Sequence, residues 1–363
     1  MKRRTFIKQT GVVGAVGFGL GCKAKTTTIN NQKKSIGVAL LGLGSYSKGQ
    51  LAPALQLTNH CHLAGIVTGS PEKVPEWQKA HSIPDKNIYN YDTLGDIANN
   101  DDIDVVYIVV PTGLHAKYAV AAANAGKHVW CEKPMAINTK ECQSIIDACS
   151  KNNVKLSIGY RMLHETNTKT LISYVDSQPF GKINSINASA CYAGGRPSVW
   201  RGTKSMGGGA MYDMGVYTVN GIRYATGLDA TEVISAKIVI DRPELFPEVD
   251  ETTIYSLRMS NGLIANGMAS VGRPDNILQV DCENGWYNLS PMQAYNGVVG
   301  NRSDGAADLQ AYVPNQQAIQ MDDDALAILN DTELMCPGIE GLKDIHIIEG
   351  IFKAAETGGS VAL

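Results

Sequence analysis

Past its N-terminal segment, the 363-residue sequence offers no continuous apolar run of the roughly 18 residues that a membrane-spanning helix needs. It has no long run of Lys or Arg, and its formal net charge is −3, so no basic face for nucleic acid is indicated. None of its 8 cysteines forms a C-x-x-C pair, and no His and Cys cluster at zinc-ligand spacing, so no metal site is expected. Most of these thiols fall inside apolar runs, where a free Cys behaves as a small core residue. No repeat or low-complexity tract is visible. What is present, 44 % hydrophobic and 18 % charged residues, supports a soluble globular protein with a sizeable core, and the length suits two domains.

The N-terminus is the exception. Lys2-Arg3-Arg4-Thr5-Phe6-Ile7-Lys8 carries twin arginines and precedes the glycine-rich apolar run Gly11 to Leu20. That layout is a secretory signal of the twin-arginine type over residues 1–22, hence a periplasmic destination. Cys22 is a candidate for lipidation, although Leu20 stands directly before Gly21, one place later than lipoprotein signals usually have it. Residues 23–34 are polar, lack periodicity and read as a flexible arm.

From residue 35 to 159, short apolar strands alternate with helical patterns. Strands are expected at Ile36–Leu41, His62–Val67, Val105–Val110, His128–Cys131 and Lys155–Gly159. Helical segments near Gln50–Leu57, Glu72–His81, His115–Ala125 and Lys140–Asn152 separate them. This is the rhythm of βαβ units, so the first domain is expected to be a doubly wound parallel sheet of the Rossmann type. Residues 160–363 change rhythm. Six strand patterns from Lys182 to Ser290, interrupted by a helix after Gly207-Gly208-Gly209 and followed by two terminal helices, predict an α+β domain. Its sheet is expected to be mostly antiparallel and open on one face. The final helices are free to pack back on the first domain.

Gly42-Leu43-Gly44-Ser45-Tyr46-Ser47 follows the first strand. A G-x-G there lets the backbone turn tightly and approach a pyrophosphate at a helix N-terminus. Ser47 replaces the usual third glycine. NAD sites place an acidic residue at the end of the second strand, whereas here Val67 leads into Thr68-Gly69-Ser70-Pro71-Glu72-Lys73. Hydroxyls at Thr68 and Ser70 and the charge of Lys73 suit a 2′-phosphate, so NADP is expected rather than NAD. Ser70-Pro71-Glu72 is also an ordinary helix start, and both readings can hold together.

Glu132-Lys133-Pro134 follows a strand at the edge of the sheet where α/β folds bind ligands. Farther on, Asp213 and Tyr217 are four residues apart, hence on one helical face. Oxidising an alcohol by hydride transfer needs a base for the hydroxyl proton. A tyrosine beside a cation can serve, with a carboxylate orienting the substrate. Lys133 is a candidate for that cation. Singly, Lys133 would be an ordinary surface charge and Tyr217 a packed aromatic; together they form a candidate site.

Several segments then resemble one family. They are Gly42-Leu43-Gly44-Ser45-Tyr46, Pro111-Thr112-Gly113-Leu114-His115, Glu132-Lys133-Pro134, Gly159-Tyr160-Arg161, Trp200-Arg201, the Asp213/Tyr217 helix and Pro337-Gly338-Ile339-Glu340-Gly341. They look like the glucose–fructose oxidoreductase branch of the Gfo/Idh/MocA dehydrogenases. The resemblance implies a tightly held NADP, Lys133 and Asp213 near a sugar substrate, and Tyr217 as acid/base. By the same resemblance Thr68 and Lys73 match residues that receive the 2′-phosphate. Tyr91, His115, Arg161, Trp200, Arg201 and Tyr287 match positions near the cofactor or pocket. Many relatives have His where this chain has Tyr217, and Ser45 and Thr68 depart slightly from the nearest pattern.

Export points the same way. Outside the cytoplasm free NADP is scarce, so a workable enzyme keeps its cofactor and reloads it with a second carbonyl substrate. Relatives assemble through the open sheet face, which implies a homodimer or homotetramer. Two rival readings are an NAD(P)-assisted glycosidase of the same superfamily and a non-catalytic dinucleotide or sugar sensor.

Overall fold

A computed structural model describes residues 35–313 and 315–363. The twin-arginine segment, Cys22 and the polar arm lie outside the described residues. The first sheet contains β1 (Ile36–Leu41), β2 (Cys61–Val67), β3 (Ile88–Tyr89), β4 (Val105–Ile108), β5 (His128–Glu132) and β6 (Leu156–Gly159), in the order β3-β2-β1-β4-β5-β6. Every pairing in it is parallel. All six residues of β1 are buried, as a strand covered on both faces requires. The helices α1 (Ala52–Leu55), α2 (Val74–His81), α3 (His115–Asn124) and α4 (Thr139–Lys151) link these strands. The order reverses between β1 and β4, which opens a crevice beyond their C-terminal ends.

The second sheet has eight strands: β7 (Ile183–Cys191), β8 (Ala230–Val239), β9 (Thr252–Met259), β10 (Ile264–Ser270), β11 (Asn276–Cys282), β12 (Gly285–Leu289), β13 (Gly300–Arg302) and β14 (Val361–Ala362). Only β7 and β10 pair in parallel; the remaining pairings are antiparallel. α5 (Thr166–Ser177), α6 (Val216–Thr226), α7 (Gln316–Leu329) and α8 (Gly338–Thr357) complete the chain. α6 and α8 cover one face of the second sheet, burying Tyr255, Leu257, Ala265, Leu278 and Val280. α7 instead packs on the first sheet, with Ala318, Met321 and Ala325 against Val38, Leu40 and Trp130.

α5 has no counterpart in the strand and helix pattern read above. Its sequence, TNTKTLISYVDS, is rich in β-branched and hydroxyl residues that weaken helix propensity. Glu165 caps it, its carboxylate accepting from the backbone N–H groups of Asn167 and Thr168. The two-residue strands β3 and β14 and the three-residue β13 are equally absent from the pattern, being too short to show a period.

Candidate active site

The site begins with the turn after β1. Gly42 has φ +100°, and a Cβ there would come within 2.5 Å of the Val109 carbonyl oxygen. Only glycine lets the turn pass this close to the segment after β4. Gly44 would place a Cβ in open space, leaving room for a group to approach the backbone. Ser47 is fully buried and its hydroxyl donates to the Gly42 carbonyl, so the residue standing in for the third glycine closes the turn on itself. Beyond β2, Thr68 Oγ1 accepts from the Ser70 amide at 3.1 Å, and Lys73 Nζ donates to the Leu43 carbonyl at 3.0 Å. The ammonium is thereby held at the glycine turn. Tyr91 lies over Gly69, where a Cβ would be 2.7 Å from its ring, and stacks on Tyr118 at 4.8 Å.

Gly42, Leu43, Gly44, Thr68, Lys73 and Tyr91 line a cleft of about 950 Å³ at the C-terminal edge of the first sheet. Pro111, His115, Glu132 and Lys133 line its floor, and Arg161, Trp200, Arg201, Asp213 and Tyr217 line the part nearer the second sheet. His115 is buried between the carbonyls of Val110 (2.8 Å) and Pro134 (2.9 Å), bracing two cleft segments. Burial pushes its pKa down, and the carbonyls of Val110 and Pro134 partly offset this. Glu132 accepts a 2.7 Å hydrogen bond from the Tyr107 hydroxyl. Burial raises its pKa, and that hydrogen bond and the Lys133 charge partly offset the rise.

Tyr217 and Asp213 come from one continuous helical run. Met211–Gly215 forms a π-turn and α6 follows directly. The wider turn changes the helical phase yet leaves both side chains in the cleft, and π-turns of this kind recur at functional sites. The Asp213 carboxylate accepts from Tyr192 Oη (3.1 Å) and Arg201 Nε (3.3 Å). Lys133 Nζ donates to the Asp213 main-chain carbonyl at 2.8 Å and stands 3.9 Å from its carboxylate. Lys133 Nζ also lies 4.4 Å from the centre of the Tyr217 ring, over its face rather than on its hydroxyl. The group that donates to the Tyr217 hydroxyl is Arg161, at 3.3 Å. Arg201 packs on Trp200, its guanidinium 4.2 Å from the ring centre.

Residues 36–160 match the Gfo/Idh/MocA oxidoreductase family model with its NAD-binding Rossmann fold, and residues 168–288 match the Gfo/Idh/MocA C-terminal domain. The chain belongs to the Gfo/Idh/MocA oxidoreductase family. It is 33 % identical to an aldose-aldose oxidoreductase from Caulobacter crescentus whose crystal structure superposes with a TM-score of 0.87, covering 91 % of this chain and 100 % of that one. The D-xylose 1-dehydrogenase (NADP(+)) of Haloarcula marismortui is 27 % identical over 337 residues, 90 % of this chain and 92 % of that protein. A scyllo-inositol dehydrogenase from Lactobacillus casei shares the fold at 21 % identity and a TM-score of 0.75, over 91 % of this chain and 99 % of that one.

In this Gfo/Idh/MocA oxidoreductase one residue expected near the pocket is elsewhere. Tyr287 is 1 % exposed, meets Tyr174 edge-on at 4.9 Å and borders a separate cavity of about 350 Å³. The pleat of β12 decides this: Trp286 and Asn288 face outward, so Tyr287 faces the core. The sequence reading also missed Tyr192, Gln293 and Tyr295. Tyr295 stacks on Tyr46 at 5.9 Å, bringing the loop after β12 onto the glycine turn. Tyr192 follows the end of β7, where nothing local distinguishes it from any exposed tyrosine.

Proposed function

We propose that the chain is an exported, NADP-dependent oxidoreductase acting on a sugar, which keeps its cofactor and reloads it with a second carbonyl substrate. The observation that carries this reading is the convergence of Lys133, Asp213 and Tyr217 in the cleft that also holds the Gly42–Gly44 turn. The open Cβ position at Gly44 and the Lys73 ammonium beside Leu43 fit a phosphate-bearing dinucleotide. Thr68 and Lys73, with no carboxylate at the end of β2, favour NADP. A bound nicotinamide supplies the hydride acceptor or donor. Tyr217 Oη takes the proton of the sugar hydroxyl as its C–H bond is broken, and returns it when the second carbonyl is reduced. Lys133 and the Asp213 carboxylate, itself held by Arg201 and Tyr192, orient the reacting hydroxyl.

The related aldose-aldose oxidoreductase and NADP-dependent xylose dehydrogenase support the substrate and cofactor class. The twin-arginine segment supports export to the periplasm, with Cys22 as a candidate lipid anchor, and export supports retention of the cofactor. The decisive experiment is to purify the protein without added nucleotide, identify what it carries by native mass spectrometry, and follow nucleotide absorbance on adding aldoses. NADP should be recovered, and Tyr217→Phe should keep it while losing about 100-fold or more in turnover. Recovery of NAD, or near-normal turnover by Tyr217→Phe, overturns the reading.

A further inference from the structure

Arg161 begins the turn after β6, and its side chain is buried, with the residue only 2 % exposed. Among the described residues it forms no ion pair within 4.0 Å. Its Nη2 donates to Gln293 Oε1 at 3.1 Å, its Nη1 donates to Tyr217 Oη at 3.3 Å, and its buried Nε has no partner. The guanidinium lies between two aromatic faces, 4.9 Å from the Tyr295 ring centre and 5.3 Å from that of Tyr217. The Glu132 carboxylate acts on it from beyond ion-pair distance, and Tyr46, Tyr295 and Lys133 are the other titratable groups around Tyr217. A buried cation with no carboxylate in direct contact favours negative charge on the oxygen it touches. Here that oxygen is the phenolic oxygen of Tyr217. Lys133, by contrast, is engaged with Asp213 and faces the ring rather than the hydroxyl.

We propose that Arg161 is the positioning residue that readies Tyr217 Oη to accept the substrate's proton, while Lys133 works on the substrate side together with Asp213. The proposal rests on Tyr217 being the acid/base of the function argued above. In the oxidative half-reaction the hydroxyl proton passes to Tyr217 Oη and the hydride to the oxidised nicotinamide. In the reductive half both return to the second carbonyl compound. Arg161 gains and loses nothing; its N–H group stays on the phenolic oxygen, and its charge compensates the phenolate that accepts the proton in the oxidative half and is restored by the reductive half. Gln293 holds the other side of the guanidinium. Asn276 steadies Gln293 in turn, its side-chain amide donating to the Gln293 carbonyl and its side-chain oxygen accepting from the Gln293 amide.

The test uses the enzyme as purified with its nucleotide, comparing wild type, Arg161→Gln, Arg161→Lys, Gln293→Leu and Tyr217→Phe. Single-turnover sugar oxidation is read from nucleotide absorbance across pH, and retained nucleotide is quantified separately. Arg161→Gln should oxidise sugar about 100-fold more slowly at neutral pH. Its rate should climb toward that of wild type as pH rises, because hydroxide then does what the guanidinium no longer favours. Arg161→Lys should restore about tenfold of the loss by returning the charge. Gln293→Leu, which leaves the buried arginine in place, should shift the profile the same way by a smaller amount, about threefold at neutral pH. It decides the matter if Arg161→Gln does not fold. A pH-independent loss, an unshifted profile in Gln293→Leu, or a loss that merely follows lost nucleotide overturns the proposal and makes Arg161 a structural or cofactor contact. Near-normal turnover by Tyr217→Phe overturns the acid/base reading itself, and this proposal with it.

Discussion

Lys73 shows how one side chain can be both anchored and available. Its ammonium is tied to the Leu43 carbonyl, so the charge is fixed at the glycine turn instead of sweeping through solvent. Replacing it with Ala is expected to weaken NADP binding about tenfold or more, since a hydrogen bond to a charged group contributes about 1.5–3 kcal/mol. NAD, lacking the 2′-phosphate, should lose much less. Fluorescence titration of the two nucleotides checks this, and equal losses would mean that Lys73 only supports the turn. Asp324 is a different case, buried on α7 away from the proposed chemistry. Burial pushes its pKa up to about 6; Ser157 donates to one carboxylate oxygen, while the other has no hydrogen-bond partner. An unfolded aspartate titrates at about 3.9, so the folded protein holds the extra proton between these values. The stability this gives is complete below about pH 4 and is lost as pH rises through about 6. Asp324→Asn stays neutral throughout. Its melting temperature relative to wild type should therefore rise with pH across that window, by the equivalent of up to about 3 kcal/mol. A difference that does not vary with pH would show that Asp324 titrates normally.

At the scale of elements, α6 carries Tyr217, the proposed acid/base, and packs against the second sheet. Tyr255 on β9 reaches across β10 at Gly267, where an added Cβ would fall 2.0 Å from the tyrosine ring. The Tyr255 hydroxyl shares a 2.6 Å hydrogen bond with Thr218, the residue after Tyr217. Gly267→Ala must displace Tyr255 and with it the start of α6. Overpacking of this kind costs about 1–3 kcal/mol. A lowered melting temperature, with a fall in sugar turnover even well below it, is the expected result. An unchanged melting temperature would show that Tyr255 swings aside freely. In α5 tertiary packing outweighs local propensity. Its β-branched content argues locally against helix, and the fold overrides this by capping it with Glu165 and packing Leu171 and Tyr174 into the core.

Over the whole molecule, the second sheet has one face covered by helices and one not. Across the uncovered face runs a polar row, Ser256, Asn266, Asn187, Gln279, Asn288 and Asn301, following the strand register. Ile254, Ile264 and Trp286 stand exposed beside it. Several members of the row already hydrogen-bond across the strands. A second copy of the chain laid on this face would cover the apolar residues, and a symmetric pairing is the usual outcome for such a surface. Light scattering on the purified protein should therefore give a dimer or a dimer of dimers. Arg substituted at both Asn187 and Ser189, near the centre of the face, should yield monomers with unchanged circular dichroism. A monodisperse wild-type monomer would remove the proposal.

Much of the first half was readable without a structure, because adjacent residues carry the information. Buried strands, the Gly42–Gly44 turn and the missing carboxylate after Val67 are properties of short segments. Their meaning follows from the period of the apolar pattern and from glycine's freedom at positive φ. Candidate roles for Lys133, Asp213 and Tyr217 came from residue type and resemblance, and the structure gathers them in one cleft. What the tertiary structure alone decided are relations between distant segments. The parallel pairing of β7 with β10 and the approach of Tyr295 to Tyr46 leave no local signature. The same holds for the cation nearest the proposed acid/base. Lys133 and Arg161 are both basic residues just beyond a strand of the first sheet, and by type either could serve Tyr217. Packing puts Lys133 over the ring and Arg161 on the oxygen, because a charge pair is defined by distance in space and not by spacing along the chain.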